Sequence, residues 1–211
     1  MYLPAHFAET DVQALHALIA AHPLGALVAA GPHGLDANHL PFELDSSAGA
    51  QGTLRAHVAR NNPLWKELVD GTPVLVIFQA EQGYISPNWY PSKHETHQQV
   101  PTWNYRVVHV HGTLRIRDDE RFVRGLVARL TRTHEAQEAR PWKMGDSETA
   151  YIDRMLAAIV GIEVEIHQMV GKYKLSQNKD KRDRMGAVET LQARGKEALS
   201  LVMWEAMEKG S

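Results

Sequence analysis

Apolar positions along this chain follow two periods. Leu15, Leu18 and Ile19 fall at helical spacing, Thr10 and Gln13 form a capping-box pattern ahead of them, and Pro23 closes the segment. Leu24 to Ala30 then reads as a strand bounded by Pro23 and Gly31-Pro32. Asn38 to Leu44 and Thr53 to Val58 read as two more, joined through the turn-like run Asp45-Ser46-Ser47-Ala48-Gly49 into a hairpin. Asn62 as N-cap and Pro63 at the first helical position open a short helix reaching Val69. Val74 to Phe78 is an unbroken apolar run, expected to be a buried strand; Gly83 to Ser86 is a further strand and Pro87 to Pro91 a loop. Thr102 to Arg117 reads as one long strand, or two joined near Gly112. No helical crossover fits between Val74 and Arg117, so antiparallel pairing is expected.

The period then returns to helical. Phe122, Val123, Leu126, Val127 and Leu130 follow Asp118, and Tyr151, Ile152, Met155, Leu156 and Ile159 follow Ser147. A last strand region covers Ile162 to Leu175, and a helix from about Asp183 to Ala206 ends the chain, with a break available at Ala193-Arg194-Gly195. Short antiparallel strands with helices grouped outside them predict an α+β fold, a small antiparallel β-barrel. The 211 residues suit one domain with an appendage, placed at 1–178 and 179–211.

Composition narrows the chemistry. Hydrophobic residues are 44% and charged ones 23%, as in a folded globular chain. The net charge of −2 argues against a basic nucleic-acid arm or an acidic tail. The absence of cysteine excludes disulfides, thiolate nucleophiles and iron–sulfur ligation. The first residues carry no basic segment followed by an apolar one, and no apolar run is long enough to span a bilayer, so a cytoplasmic protein without membrane contact is expected. Neither a Walker A sequence nor G-x-G-x-x-G, G-x-S-x-G or H-E-x-x-H occurs. A phosphate-bearing ligand would have to be held by side chains and strand-edge amides.

Four groups carry candidate chemistry. His109 and His111 share one face of a strand but lack a third ligand at fixed spacing, so hydrogen-bonded histidines are the better reading and no metal is expected. Around His57, Val58, Arg60 and Asn61 a strand ends and a capped helix starts, which brings free amides, a helix N-terminus and a guanidinium together; this suits a phosphate dianion and equally suits a cap with a solvated arginine. Trp89, Tyr90, Trp103 and Tyr105 lie near Asn88, Lys93 and Asn104 and suit a flat heteroaromatic ligand or a dimer interface. Lys172, Lys174, Ser176, Gln177 and Asn178 form a polar run that could meet an anion. Lys179 to Arg184 alternates cations with Asp180 and Asp183 and reads as a salt-bridged helix start, not a nucleic-acid patch.

Five runs resemble the PaiB family of FMN-binding negative transcriptional regulators. They are Gly34-Leu35-Asp36-Ala37-Asn38-His39-Leu40-Pro41, Gly52 to Trp65, Tyr84-Ile85-Ser86-Pro87-Asn88-Trp89-Tyr90-Pro91-Ser92-Lys93, Val100-Pro101-Thr102-Trp103-Asn104-Tyr105 and Gly171-Lys172-Tyr173-Lys174-Leu175-Ser176-Gln177-Asn178. The resemblance implies a split antiparallel β-barrel with peripheral helices and a C-terminal helical extension, a homodimer, FMN as cofactor, DNA as a partner, and kinship with pyridoxamine-phosphate oxidases and flavin reductases. It places the flavin phosphate along His57 to Asn61. Of the oxidases' Ser-Arg-Lys run only Arg60 is kept, at Ala59-Arg60-Asn61. Their Arg-Gln pair aligns with Arg106-Val107 and their late Arg-Leu with Lys174-Leu175, while Asn38 and His39 fall on the strand flanking the ring. Asn38, His39, His57, Val58, Arg60, Asn61, Trp103, Arg106, Lys172, Lys174 and Gln177 are thus the expected cofactor residues. The alternative function is a flavin-dependent oxidoreductase on the same barrel; no residue stands out as its acid or base.

Overall fold

The computed structural model describes residues 1–208, so the last three positions of the expected 179–211 extension lie outside the described residues. In chain order the elements are β1 (Ala8–Glu9), α1 (Val12–Ala21), β2 (Leu24–Gly31), β3 (Gly34–Pro41), β4 (Glu43–Asp45), β5 (Thr53–Ala59), α2 (Leu64–Glu67), β6 (Pro73–Ile85), α3 (Pro91–Thr96), β7 (Thr102–Arg117), α4 (Glu120–His134), α5 (Thr149–Ala157), β8 (Ile159–Lys174), α6 (Lys181–Ala193) and α7 (Glu197–Glu208). The sheet order is β3-β2-β6-β7-β8-β5-β4, with β1 also on β8, and this path does not close on itself. The pairs β2–β3, β2–β6, β4–β5, β5–β8 and β1–β8 are antiparallel. The architecture is the α+β split antiparallel barrel that the pattern and the resemblance predict.

Several boundaries differ for identifiable reasons. The strand expected at Asn38 to Leu44 is two strands: β3 starts at Gly34, and Phe42 interrupts before β4 by turning its N–H to the Pro23 carbonyl (2.8 Å) and burying its ring edge-on to Phe78. Most of β3 is exposed, so it shows no apolar alternation in the sequence. β6 continues through its polar half to Ile85, absorbing the separate strand expected at Gly83 to Ser86. The loop at Pro87 to Pro91 is a 3₁₀ turn running into α3. Thr10 does not cap α1; the carboxylate of Asp11 accepts the Gln13 N–H (2.9 Å) instead. The C-terminal helix breaks at the glycine position flagged in the sequence: Gly195 has φ +69, a left-handed conformation that glycine takes without strain, and it separates α6 from α7.

The chain forms two compact units. The first gathers Met1–Leu18, Gln79–Val108 and the chain from Val170 onward. Its core packs Ile85, Tyr90 and Leu175 against Val188 and Leu191 of α6 and Met203 of α7. In that core Ser176 Oγ bonds Tyr90 Oη (3.2 Å) and accepts from Asn104 Nδ2 (2.9 Å), while Asn104 Oδ1 is buried without a hydrogen-bond partner. The second unit holds Ile19–Phe78 and His109–Met169. Leu54, Ala56 and Val58 of β5 alternate into its core with Val76 and Phe78 of β6 and Ile162 and Val164 of β8. Gly25 lets Phe78, Val76 and Phe42 crowd onto β2, since a Cβ there would sit 2.7 Å from the Phe78 ring. α4 is started by Asp119, whose carboxylate accepts the Phe122 N–H (2.7 Å), and it buries Val123 and Leu126.

Candidate functional site

In the second unit, β5 pairs Arg55 with Glu163 and His57 with Gly161 of β8, and its Arg55 and His57 point away from the core. α4 lies against this strand. Between them is a cavity of about 320 Å³, walled by Pro41, His57, Val127, Leu130, His134 and Trp142. Trp142 is brought there because the loop after α4 folds back, the Trp142 N–H donating to Glu135 Oε2 (2.8 Å). Burial pushes the His57 imidazole below its ordinary pKa, so it is neutral at pH 7. Its Nδ1 is buried with no hydrogen-bond partner. An N–H at that atom would be an unsatisfied donor, so the proton belongs on Nε2, and His57 has a donor to offer.

At the end of β5 the arginine makes four hydrogen bonds. Arg60 Nη1 and Nη2 meet the two carboxylate oxygens of Asp118 (3.0 and 2.6 Å), Nε donates to the Ala157 carbonyl (2.6 Å), and Nη2 donates also to the Ile159 carbonyl (3.2 Å). The guanidinium lies 5.5 Å from the Trp65 ring centroid, and Trp65 Nε1–H donates back to the Arg60 carbonyl (2.9 Å). The Asp118 bond raises the Arg60 pKa, and the same bond holds Asp118 below the usual carboxylate range. Lys66 Nζ lies over the same indole at 5.2 Å and forms no ion pair among the described residues. Sequence reasoning placed Arg60 correctly at a strand end beside a helix but did not see Asp118, 58 residues away.

The neighbouring expected residues divide. The N-cap of α2 is Pro63, one residue later than expected and without a side-chain cap; Asn62 Oδ1 accepts the Leu64 N–H (2.9 Å) in a local turn ahead of it, and Asn62 Nδ2 donates to Asn38 Oδ1 (2.7 Å), while Asn38 in turn donates to Asp36 (3.0 Å). His39 and Asn61 are exposed, and neither side chain forms a hydrogen bond among the described residues. Val58 is 2% exposed, its side chain packed in the core.

The other five expected residues lie in the first unit, where each is tied to its surroundings. Lys172 is buried; its Nζ donates to the Tyr2 carbonyl (3.1 Å) and sits between the rings of Tyr2 and Tyr105. Lys174 Nζ donates to Thr102 Oγ1 and the Trp103 carbonyl, and burial lowers its pKa. Arg106 is paired with Glu81 (Nε to Oε2, 2.7 Å) over the face of Tyr173. The Gln177 amide closes a local turn, accepting from Leu175 N and donating to the Tyr173 carbonyl. Trp103 is half exposed and bonds Gln82 Oε1 (3.2 Å). With Tyr84 and Trp89 it forms an edge-to-face aromatic row, centroids 6.4 and 6.5 Å apart, while Tyr90 is core. The sequence reading missed Tyr84, whose place in the row depends on β6 continuing past Phe78. In the basic run around the start of α6, Arg182 pairs with Glu95 (2.6 Å), Lys179 donates to the Gln99 amide (2.6 Å), and Arg184 Nε and Nη2 are buried with no hydrogen-bond partner. Among the described residues no three His, Asp or Glu side chains form a metal-binding group. No helix there is long and apolar enough to cross a membrane.

Comparison with known proteins sets this geometry in a family. Residues 1–168 match the family described as "Putative FMN-binding domain", a span that includes β5, α4 and the Trp142 loop and stops short of Lys172, Lys174 and Gln177. The chain is 30% identical to an uncharacterized protein of Aspergillus fumigatus over all of its own length and 98% of that protein. It is 28% identical to protease synthase and sporulation protein PAI 2 of Bacillus subtilis, covering 91% of this chain and 89% of that one. Among solved structures, the flavocytochrome Anf3 from Azotobacter vinelandii aligns with a TM-score of 0.58 at 14% identity, over 79% of this chain and 69% of that one. The FAD and heme binding protein from Mycobacterium smegmatis aligns at 0.55 and 18%, over 85% and 79%. At such identities the two structures speak for the fold alone. The family match spans four-fifths of the sequence and the relatives align along nearly their whole length, and on that basis the chain belongs to the PaiB-like FMN-binding family.

Proposed function

We propose that this protein binds one flavin per chain in the second unit, with the isoalloxazine in the cavity beside His57 and the ribityl phosphate toward Asn61. The observation that carries the reading is the family match over residues 1–168, which contains this cavity and the β5 turn. The donor set fits a flavin ring. The walls are apolar at Pro41, Val127, Leu130 and Trp142, and the neutral His57 offers an Nε2–H to a ring acceptor. Bound FMN would supply one- and two-electron redox chemistry. The chain's part is to orient the ring and to exclude water with Leu130 and Trp142. Titration of purified protein with FMN, followed by flavin fluorescence, should saturate at one equivalent and be weakened by Trp142→Ala; no saturable binding would reject the reading.

In the cell the protein would act as a homodimeric regulator, the role the PaiB resemblance suggests. Direct DNA contact by this chain is the weaker part of that role. The net charge is −2, and Arg182 at the start of α6 is paired with Glu95. Regulation through the flavin or a protein partner suits the surface better. Scattering mass and a salt-dependent DNA shift assay test dimer and DNA separately.

A further inference from the structure

The end of β5 was expected to hold a phosphate, yet its electrostatics are those of a site already filled. Arg60 has five N–H donors. Four contacts, two to Asp118 and one each to the Ala157 and Ile159 carbonyls, leave only one Nη1 hydrogen unengaged. Ala157 is the last residue of α5. The guanidinium therefore sits at a helix C-terminus, where unpaired carbonyls carry partial negative charge that favours a cation and repels an anion. A phosphate arriving there would face the Asp118 carboxylate and the negative end of α5. To bind Arg60 through both Nη atoms it would have to displace Asp118, exchanging one charge-assisted fork for another with little net gain.

We propose that Asp118, by occupying Arg60, makes this flavin site nearly indifferent to the phosphate, so that the chain selects flavins by the ring and takes riboflavin about as readily as FMN. The inference rests on the flavin reading above and concerns the specificity of that same site. Asp118 acts through Arg60 and is a positioning residue. Removing its charge should leave Arg60 anchored by the two carbonyls and Trp65 while freeing its outer edge for an anion.

The test is a pair of fluorescence titrations, FMN and riboflavin, on the full chain and on Asp118→Asn and Asp118→Glu. For the unaltered chain the two dissociation constants should agree within about threefold. In Asp118→Asn the FMN affinity should rise by about tenfold, one charge-assisted contact's worth, with riboflavin unchanged. Asp118→Glu keeps the carboxylate and should keep the original ratio, which separates the charge effect from a folding defect. A preference for FMN of a hundredfold or more in the unaltered chain would overturn the proposal, as would an unchanged ratio in Asp118→Asn. Binding of neither flavin would instead sink the flavin reading itself.

Discussion

Single side chains here are set by what surrounds them more than by their own chemistry. His57 and Arg60 lie three positions apart, and both were candidate ligand residues. One is a neutral ring with a buried, unpartnered Nδ1; the other is a guanidinium spent on Asp118 and two carbonyls. The His57 environment has a consequence for pH dependence. Burial lowers its folded pKa, while the unfolded chain titrates near the ordinary value of about 6.5. Between those two values the unfolded state binds more protons, so stability rises with pH and is lost as pH falls below about 6.5. His109, also lowered by burial, adds in the same direction. Denaturant melts between about pH 5 and about pH 7 should show this slope, and His57→Leu should reduce it by up to one proton's worth, about 1.4 kcal/mol per pH unit. An identical slope in the variant would show that His57 is not protected from protonation.

At the scale of elements, caps and close approaches decide what the periodic pattern leaves loose. The apolar stripe of α4 was legible, but its start is fixed by Asp119 accepting the Phe122 N–H. Asp119→Ala should lower stability by about 1 kcal/mol, read as a shifted denaturation midpoint with an unchanged slope. Long β7, from Thr102 to Arg117, appears with the predicted bounds because its inward positions stay apolar through most of its length. β3 was shortened in the sequence reading because an exposed edge strand needs no alternation, and polar Gln79 to Tyr84 hid the continuation of β6. In each case a ladder partner supplied order that composition did not advertise: β3 is held by β2 along its full length, Leu24 to Gly31 against Pro41 to Gly34.

For the whole molecule, a bound flavin should act on folding by mass action. A ligand that binds only the folded chain stabilises it by about 2.7 kcal/mol at a hundred times its dissociation constant. The thermal midpoint should therefore climb with FMN concentration, and with riboflavin nearly in step if Asp118 neutralises the phosphate contact. A midpoint insensitive to both flavins would argue against a folded-state flavin site.

The α+β class, the antiparallel pairing, the helix at α4 and the Asn62 turn ahead of α2 were determined by sequence, because they depend on local periodicity and on side chains reaching backbone a few residues away. The family was legible too, in runs such as those from Gly52 to Trp65 and from Tyr84 to Lys93. Only the tertiary structure decided what surrounds each of the eleven expected ligand residues. It spent Arg60 on Asp118, sealed Val58 in the core, tied Lys172, Lys174, Arg106 and Gln177 to neighbours, and set Trp142 beside His57. These outcomes join residues from 25 to 170 positions apart, apart from the Gln177 turn. Charge and burial at that range are properties of the packed chain, and a linear pattern does not carry them.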